Sequence, residues 1–343
     1  MQSQSYYVKG QKLSNSILVI GSNSFSGSNF VNFALNAGRS VIGVSRQEEI
    51  SAPFSPYLGN DSLNNFTFYR CDLNNDTEKI AKICEDYQVS NVVNFAAQSM
   101  VGESWISPAD WYQTNVVGLA RLIQELDKSS WKIDRFLNFT TPEVYGSTGE
   151  WIKETFDFSP TTPYAISRAA SDFHLRAMHQ SKGFPVLFTR AANVYGEYQR
   201  PYRIIPRALI AAMTNKRFPL HGGGHSLRSF IHIDDVSRAL LMILEDGELG
   251  ESYHISTNQL VSIREVVSSC AHLLGLDLAD ICEISDDRIG KDAAYKLDSS
   301  KIRAELGWID SIDLDEGLRR TLDWVKENLT TILASELEYV HRR

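Results

Sequence analysis

The sequence predicts an α/β protein, a doubly wound parallel sheet carrying a smaller, interleaved C-terminal lobe. Three observations lead there. Short β-branched apolar runs alternate with spacers long enough for a helix, a glycine-bearing turn follows directly on the first run, and the pattern loosens after residue 196. At 343 residues the chain is too long for one small domain, which points to two units built around full cores.

In chain order, Met1 to Ser16 is polar, without the apolar stretch of a leader or anchor, and reads as a loose tail. Strands are expected at Ile17 to Ile20, Val41 to Val44, Phe66 to Tyr69, Val92 to Ala96, Phe136 to Phe139 and Val186 to Thr189. Runs of this kind, apolar throughout rather than alternating, belong to strands buried on both faces of a parallel sheet. Past Asn193-Val194-Tyr195-Gly196, Pro201, Pro206 and Pro219 break the chain into short pieces, and Gly222 to Gly224 makes a turn. Glu251 to Ser256 reads as one more strand returning to the first sheet. The resulting division is a tail (1–16), a dinucleotide-binding domain (17–195 with about 229–257) and a substrate lobe (196–228 and 258–343).

Composition narrows the function. A net charge of −8 gives no basic face for nucleic acid or an anionic membrane, and no apolar run reaches the ~20 residues of a membrane span. Cys71, Cys84, Cys270 and Cys282 are far apart, with no CxxC pair and no histidines at ligand spacing, so no metal site is expected. Free thiols in a cytoplasmic protein follow from that spacing.

The strand Ile17 to Ile20 runs into Gly21-Ser22-Asn23-Ser24-Phe25-Ser26-Gly27 and then into a helix-compatible stretch from Ser28 to Ala37. Gly21 permits a tight turn, Gly27 a close approach of helix to strand, and the N–H groups between them can face a pyrophosphate, as in the Rossmann dinucleotide fingerprint. Ser24 stands where a middle glycine is common. After the second strand come Ser45 and Arg46 rather than an acid, a pair suited to a 2′-phosphate, so the expected cofactor is NADP, with NAD as the alternative and a solvated Arg46 as the competing reading. Asp72-Leu73 follows the third strand, where an acid can accept from the adenine amino group or else cap a helix at Thr77.

Four further motifs stand in order: Ala96-Ala97-Gln98-Ser99, Thr140-Thr141-Pro142-Glu143-Val144-Tyr145-Gly146, Tyr164-Ala165-Ile166-Ser167-Arg168 and Asn193-Val194-Tyr195-Gly196. As a set, from about Ile17 to Trp324, they resemble the extended short-chain dehydrogenase/reductase superfamily and, within it, the nucleotide-sugar 4,6-dehydratases. The resemblance implies a cofactor lying against Ala96, Ala97 and Gln98, and a sugar C4 hydroxyl oriented by Thr141 and deprotonated by Tyr164. A free phenol has a pKa of ~10, and a cation at i+4 on the same helix face lowers it. The family's lysine there is Arg168 in this chain, which keeps the charge and a grip on ribose hydroxyls but cannot relay a proton. Glu143 corresponds to the base at C5. The family's general acid beside it is replaced by Pro142, so Glu143 would also have to protonate the departing C6 hydroxyl.

The same resemblance implies a nucleoside-diphosphate sugar bound by Ser99, Thr141, Asn193, Arg203, Arg228 and Arg288, with guanidinium groups on the diphosphate. It does not settle base or sugar: Gln98-Ser99 and Ser45-Arg46 resemble the GDP-mannose enzymes, Glu143 to Gly146 and the stretch around Arg228 the dTDP-glucose enzymes. Three functions stay open. They are a 4,6-dehydratase giving a 4-keto-6-deoxy sugar, a 4-epimerase or C4 oxidoreductase that needs only Thr141 and Tyr164, and a catalytically silent sugar-nucleotide binder. A homodimer is expected through helices near Trp111 to Leu126 and Pro163 to Met178, although an apolar stripe alone cannot say whether it faces a partner or its own core.

Overall fold

The computed structural model describes residues 16–286 and 294–341. The polar tail, save Ser16, and Arg288 with its neighbours lie outside the described residues.

Seven parallel strands form the central sheet. They are β1 (Ser16–Ile20), β2 (Ser40–Ser45), β3 (Phe66–Arg70), β4 (Asn91–Asn94), β5 (Arg135–Thr140), β6 (Val186–Ala191) and, later in the chain, Ser252–Ile255, in the order β3-β2-β1-β4-β5-β6 with the late strand beside β6. β1 and β6 are wholly buried, and covering both faces takes helices on both sides. On one face α1 (Phe25–Asn36) packs with a later helix, Ile233–Asp246; on the other lie α2 (Thr77–Asp86), the pair α3 (Val101–Ile106) and α4 (Pro108–Tyr112), α5 (Leu119–Lys128) and α6 (Pro163–Lys182). The order reverses between β1 and β4, which opens a crevice at the carboxyl ends of those strands.

Two boundaries differ from expectation for local reasons. Helix α1 starts at Phe25 rather than Ser28, because Ser24 is extended (φ −74°, ψ 159°) and its Oγ accepts the Gly27 N–H at 3.0 Å, a side-chain N-cap. Strand β4 stops at Asn94 rather than Ala96. Asn94 Oδ1 takes the Ala96 N–H at 3.1 Å and so turns the chain towards the crevice.

Ser16, assigned to the tail by sequence, is the first, buried residue of β1. The apolar stripe of 111–126 faces inward: Trp111, Leu119, Leu122, Ile123 and Leu126 are buried within the chain's own core.

Beyond β7 (Asn193–Tyr195) come α7 (Ile204–Thr214), β8 (Phe218–His221), β9 (Leu227–Arg228) and β10 (Phe230–His232). Then follow α8 (Ile233–Asp246), β11 (the late strand of the sheet), β12 (Val261–Ser262), α9 (Ile263–His272), α10 (Leu278–Ile281), β13 (Cys282–Ser285), α11 (Ser300–Leu306) and α12 (Leu314–Leu333). Among the described residues of this part of the chain, β11 apart, strand occurs as short paired fragments: β7 with β10, β8 with β13, β9 with β12. Its core is instead helical, with Leu209 of α7, Val267 of α9 and Val325 of α12 in one cluster.

Candidate active site

A cleft of about 830 Å³ lies over the carboxyl ends of the strands. Its floor and one wall come from the glycine turn and the ends of β2 to β5, the opposite wall from β7, α7 and the β8–β10 region.

At the glycine turn the chain passes through φ +84° at Gly21, whose N–H donates to Val44 O at 2.8 Å. A Cβ on Gly21 would meet Ala96 N at 2.8 Å, and one on Gly27 would meet Gly21 O at 2.2 Å, so both positions hold strand, turn and helix in backbone contact. Ser24, Phe25 and Ser26 line the cleft, with the first-turn N–H groups of α1 behind them, while Gly27 is buried beneath. An open turn of this shape fits the pyrophosphate of a dinucleotide.

Ser45 and Arg46 stand at the adjoining rim. Ser45 Oγ accepts the Asn23 N–H at 3.0 Å and shares a further hydrogen bond with Ser22 Oγ at 3.4 Å, and Arg46 is only half exposed rather than a fully solvated charge. Asp72 and Leu73 line the same end. The helix cap expected at Asp72 is not there: Asp76 occupies the cap position of α2, and Asp72 Oδ1 instead takes the Asn74 N–H at 2.9 Å, one turn of its own loop.

Ala96, Ala97, Gln98 and Ser99 continue the wall. They are held by a residue the sequence did not mark, Asn115. Its Oδ1 accepts the Gln98 N–H at 2.8 Å and its Nδ2 donates to Gln98 O at 3.0 Å and Ser167 Oγ at 2.8 Å, tying the wall to α6. Asn115 sits in a π-helical turn, Gln113–Gly118, whose wider ring re-aims the side chain inward. No side-chain periodicity reports such a turn.

At the end of β5, Thr141 is buried and its Oγ1 accepts the Glu143 N–H at 3.3 Å, capping a short 3-10 turn, Pro142–Tyr145. Pro142 is the first residue of that turn, where its fixed φ and missing N–H carry no cost. The turn brings Glu143 to the cleft beside Tyr164. Tyr164 opens α6, which is capped by Thr162 Oγ1 on the Ala165 N–H at 3.1 Å.

One turn further on, Arg168 is 2% exposed rather than a surface charge; its guanidinium donates to Phe139 O, and its Nε has no partner among the described residues. The pKa of Tyr164 is raised, chiefly by burial and further by the Glu143 carboxylate, against the pull of Arg168, the Thr141 hydrogen bond and Arg203. Arg168 does pull the phenol pKa down, as its place one helical turn away leads one to expect, but burial outweighs it.

Beneath the site, α6 is pinned to the sheet by a string of buried polar groups. Asn94 Nδ2 donates to Asn138 Oδ1 (3.0 Å), Asn138 Nδ2 to Asp172 Oδ1 (3.1 Å), and Arg190 to Asp172 Oδ2 (2.9 Å). A buried ion pair adds little net stability, but a string of side chains linked from β4 to β6 through α6 fixes the register of helix on sheet.

On the opposite wall, Asn193 donates its N–H to Ser229 O at 3.0 Å, Arg203 precedes α7, and the Arg228 guanidinium lies 4.6 Å over the Tyr295 ring. All three line the cleft, as does Arg200, stacked 4.7 Å from the Phe54 ring and not marked by sequence. Among the described residues no group of His, Cys, Asp and Glu could hold a metal, the four cysteines are buried and unpaired, and no helix is long and apolar enough to cross a membrane.

Comparison with known proteins agrees with this geometry. The family model for GDP-mannose 4,6 dehydratase matches residues 18–321. A dTDP-glucose 4,6-dehydratase of Xanthomonas campestris pv. campestris is 32% identical over 340 residues, covering 92% of this chain and 94% of that one. In three dimensions, DesIV of Streptomyces venezuelae, a dTDP-glucose 4,6-dehydratase crystallised with NAD, superposes with a TM-score of 0.83 at 31% identity over 92% of this chain and 98% of its own. The UDP-glucose 4-epimerase of Thermotoga maritima, crystallised with UDP-glucose, gives 0.82 at 26% identity over 92% and 99%.

Proposed function

The chain belongs to the GDP-mannose 4,6 dehydratase family, and from that premise we propose that it is a nicotinamide-dependent 4,6-dehydratase of a nucleoside-diphosphate sugar. The observation that carries this reading is the gathering of Thr141, Glu143 and Tyr164 at one point of the cleft, with the Thr141 hydroxyl bonded to the phenol and Glu143 and Arg203 in electrostatic reach. A nicotinamide dinucleotide held at the glycine turn and the Ala96–Gln98 wall would supply the hydride acceptor for sugar C4 and the donor for C6.

The chain's own residues supply the proton steps. Thr141 orients the C4 hydroxyl and Tyr164 removes its proton. Once C4 is a carbonyl the C5 proton is acidified, and Glu143 takes it and delivers it to the C6 hydroxyl as water departs; hydride return to C6 leaves an enolate, which is protonated at C5 by a solvent-derived proton carried on Glu143. A single carboxylate then does both tasks, and Pro142, in stiffening the turn, fixes where it stands.

Several finer statements belong to the same proposal. Ser45 and Arg46 favour NADP, whereas the crystallised DesIV carries NAD. Asn193, Arg203, Arg228 and Arg288 grip the diphosphate. The dinucleotide-binding domain is 17–195 with 229–257, the remainder forming the substrate lobe. Two copies pair through the helices of 111–126 and 163–178, whose exposed apolar residues include Val117, Ile166 and Phe173, checked by sedimentation. Four buried thiols suit a cytoplasmic setting.

The test uses a screen of common sugar nucleotides followed by mass spectrometry in heavy water. Wild type should give a 4-keto-6-deoxy product carrying deuterium at C5. Glu143→Gln should oxidise C4 but lose no water, so reduced cofactor accumulates on the protein. Tyr164→Phe should lower turnover by about 10² to 10⁴-fold with dinucleotide affinity kept. Because the phenol pKa is raised, the wild-type rate should climb with pH across neutrality as the phenolate fraction grows. A product of unchanged mass, unlabelled at C5 and inverted at C4, would instead establish an epimerase.

A further inference from the structure

The segment after α12 alternates along its length: Ser335, Leu337, Tyr339 and His341 are half-buried, while Glu336, Glu338 and Val340 are exposed. A period of two is that of an extended chain laid with one face on a surface. It is tied at both ends. Leu337 packs into the core of the lobe and Glu338 accepts from Arg207 of α7 at 2.9 Å. At the far end the His341 ring stacks on Trp111 (centroids 5.0 Å, 20°), with Nε2 2.8 Å from Asp110 Oδ2, both on α4 of the sheet domain. At ~3.3 Å per residue such a segment reaches roughly 20 Å, enough to join the two walls of the cleft.

Tyr339 lies between the two ties. Its ring stands edge-on to Tyr202 (5.5 Å, 79°), and its phenol feels the charges of Arg46, Glu103 and Arg203. These come from three different rims: the end of β2, the helix after the β4 loop, and the start of α7. Tyr202, Arg46 and Arg203 all line the cleft. A group that faces all three rims stands over the mouth.

We propose that residues 335–341 form a strap across the mouth and that Tyr339 is a ligand-binding residue, its O–H donating to a phosphoryl group held between Arg46 and Arg203. Arg46 and Arg203 bring two guanidinium groups near Tyr339, and a neutral phenol adds a donor there without adding charge. The proposal rests on the dehydratase reading in that the ligand is a nucleotide. The phosphoryl group has two sources, the 2′-phosphate of the cofactor or the diphosphate of the sugar nucleotide. Held by side-chain contacts rather than by a strand ladder, the strap can open locally to let ligands exchange.

Calorimetric titration of the full chain with NADPH, NADH, and GDP, UDP and dTDP tests this. Tyr339→Ala and His341→Ala should weaken at least one phosphoryl ligand about tenfold, with Tyr339→Phe sharing the loss through the hydroxyl and guarding against a folding defect. A loss confined to NADPH and absent for NADH assigns the 2′-phosphate; a loss confined to the nucleoside diphosphates assigns the substrate. Affinities equal to a nucleotide-binding wild type in all three variants would overturn the strap and leave the dehydratase reading intact. A wild type that binds none of these ligands would overturn both.

Discussion

Along the proposed cofactor wall the groups that face the cleft are largely backbone: the turn at Gly21, the first N–H groups of α1, and the Ala96–Gln98 segment clamped by Asn115. Along the substrate wall they are side chains, Arg200, Arg203 and Arg228, carried on short pieces of strand and the entry to α7 and steadied on the rings of Phe54, Tyr202 and Tyr295. A backbone site tolerates little change, since altering it means moving strand and helix together. A side-chain site can be retuned one residue at a time, which suits a scaffold that keeps its cofactor and varies its sugar.

The strongest way to break that contrast is at Gly27. An alanine there must displace Gly21 O, which would sit 2.2 Å from the new Cβ, and the strain of such overpacking is about 1–3 kcal/mol. Gly27→Ala should therefore weaken dinucleotide binding by about 10- to 100-fold, while affinity for a nucleoside diphosphate stays near wild type. If both affinities fall together, the two walls are not separable. The melting temperature of the variant distinguishes a displaced turn from a lost fold.

Next in size is Arg228→Ala. Removing one guanidinium that is stacked on Tyr295 should raise KM for the sugar nucleotide about tenfold and leave the dinucleotide Kd unchanged. An unchanged KM would mean that the diphosphate is held elsewhere, with Asn193, Arg200, Arg203 and Arg288 the remaining candidates.

The same contrast explains what could be read from the sequence. Strands β1, β2 and β6 announce themselves because burial on both faces demands apolar runs, whereas β3, at the sheet edge and only half buried, is legible from its aromatic and β-branched residues. The glycine turn is legible because its shape restricts residue type. Asn115 is not, since its place depends on a π-helical turn that leaves no periodic trace. Nor is Arg200, one arginine among several until α7 and the Phe54 turn place it.

Arg168 was legible in position but not in environment. Spacing put it beside Tyr164, yet only the packing shows that burial outweighs its charge at the phenol. The strap after α12 had a signal, the alternation of Leu337, Tyr339 and His341, but an extended segment outside any sheet lacks partner strands to confirm it.

The smallest effect sharpens the contrast where the cofactor wall does use side chains, at its rim. Ser45 Oγ accepts the Asn23 N–H and can turn its own proton from Ser22 Oγ, 3.4 Å away, to an anion, and Arg46 beside it is half exposed, with its backbone carbonyl accepting from Arg70 Nε at 3.1 Å. A 2′-phosphate placed here would receive one hydroxyl donor and one guanidinium; a bare 2′-hydroxyl would gain little from either and would prefer a carboxylate. Arg46→Asp reverses the preference without touching the turn. NADPH should weaken by roughly fivefold to tenfold, the value of one exposed charge-assisted contact together with new repulsion, while NADH holds or tightens slightly. High salt should shrink the difference, because the contact is open to solvent. A wild type that already binds NADH more tightly, and a variant that changes neither affinity, would make the cofactor NAD and leave the rim, like the turn beneath it, selected by backbone alone.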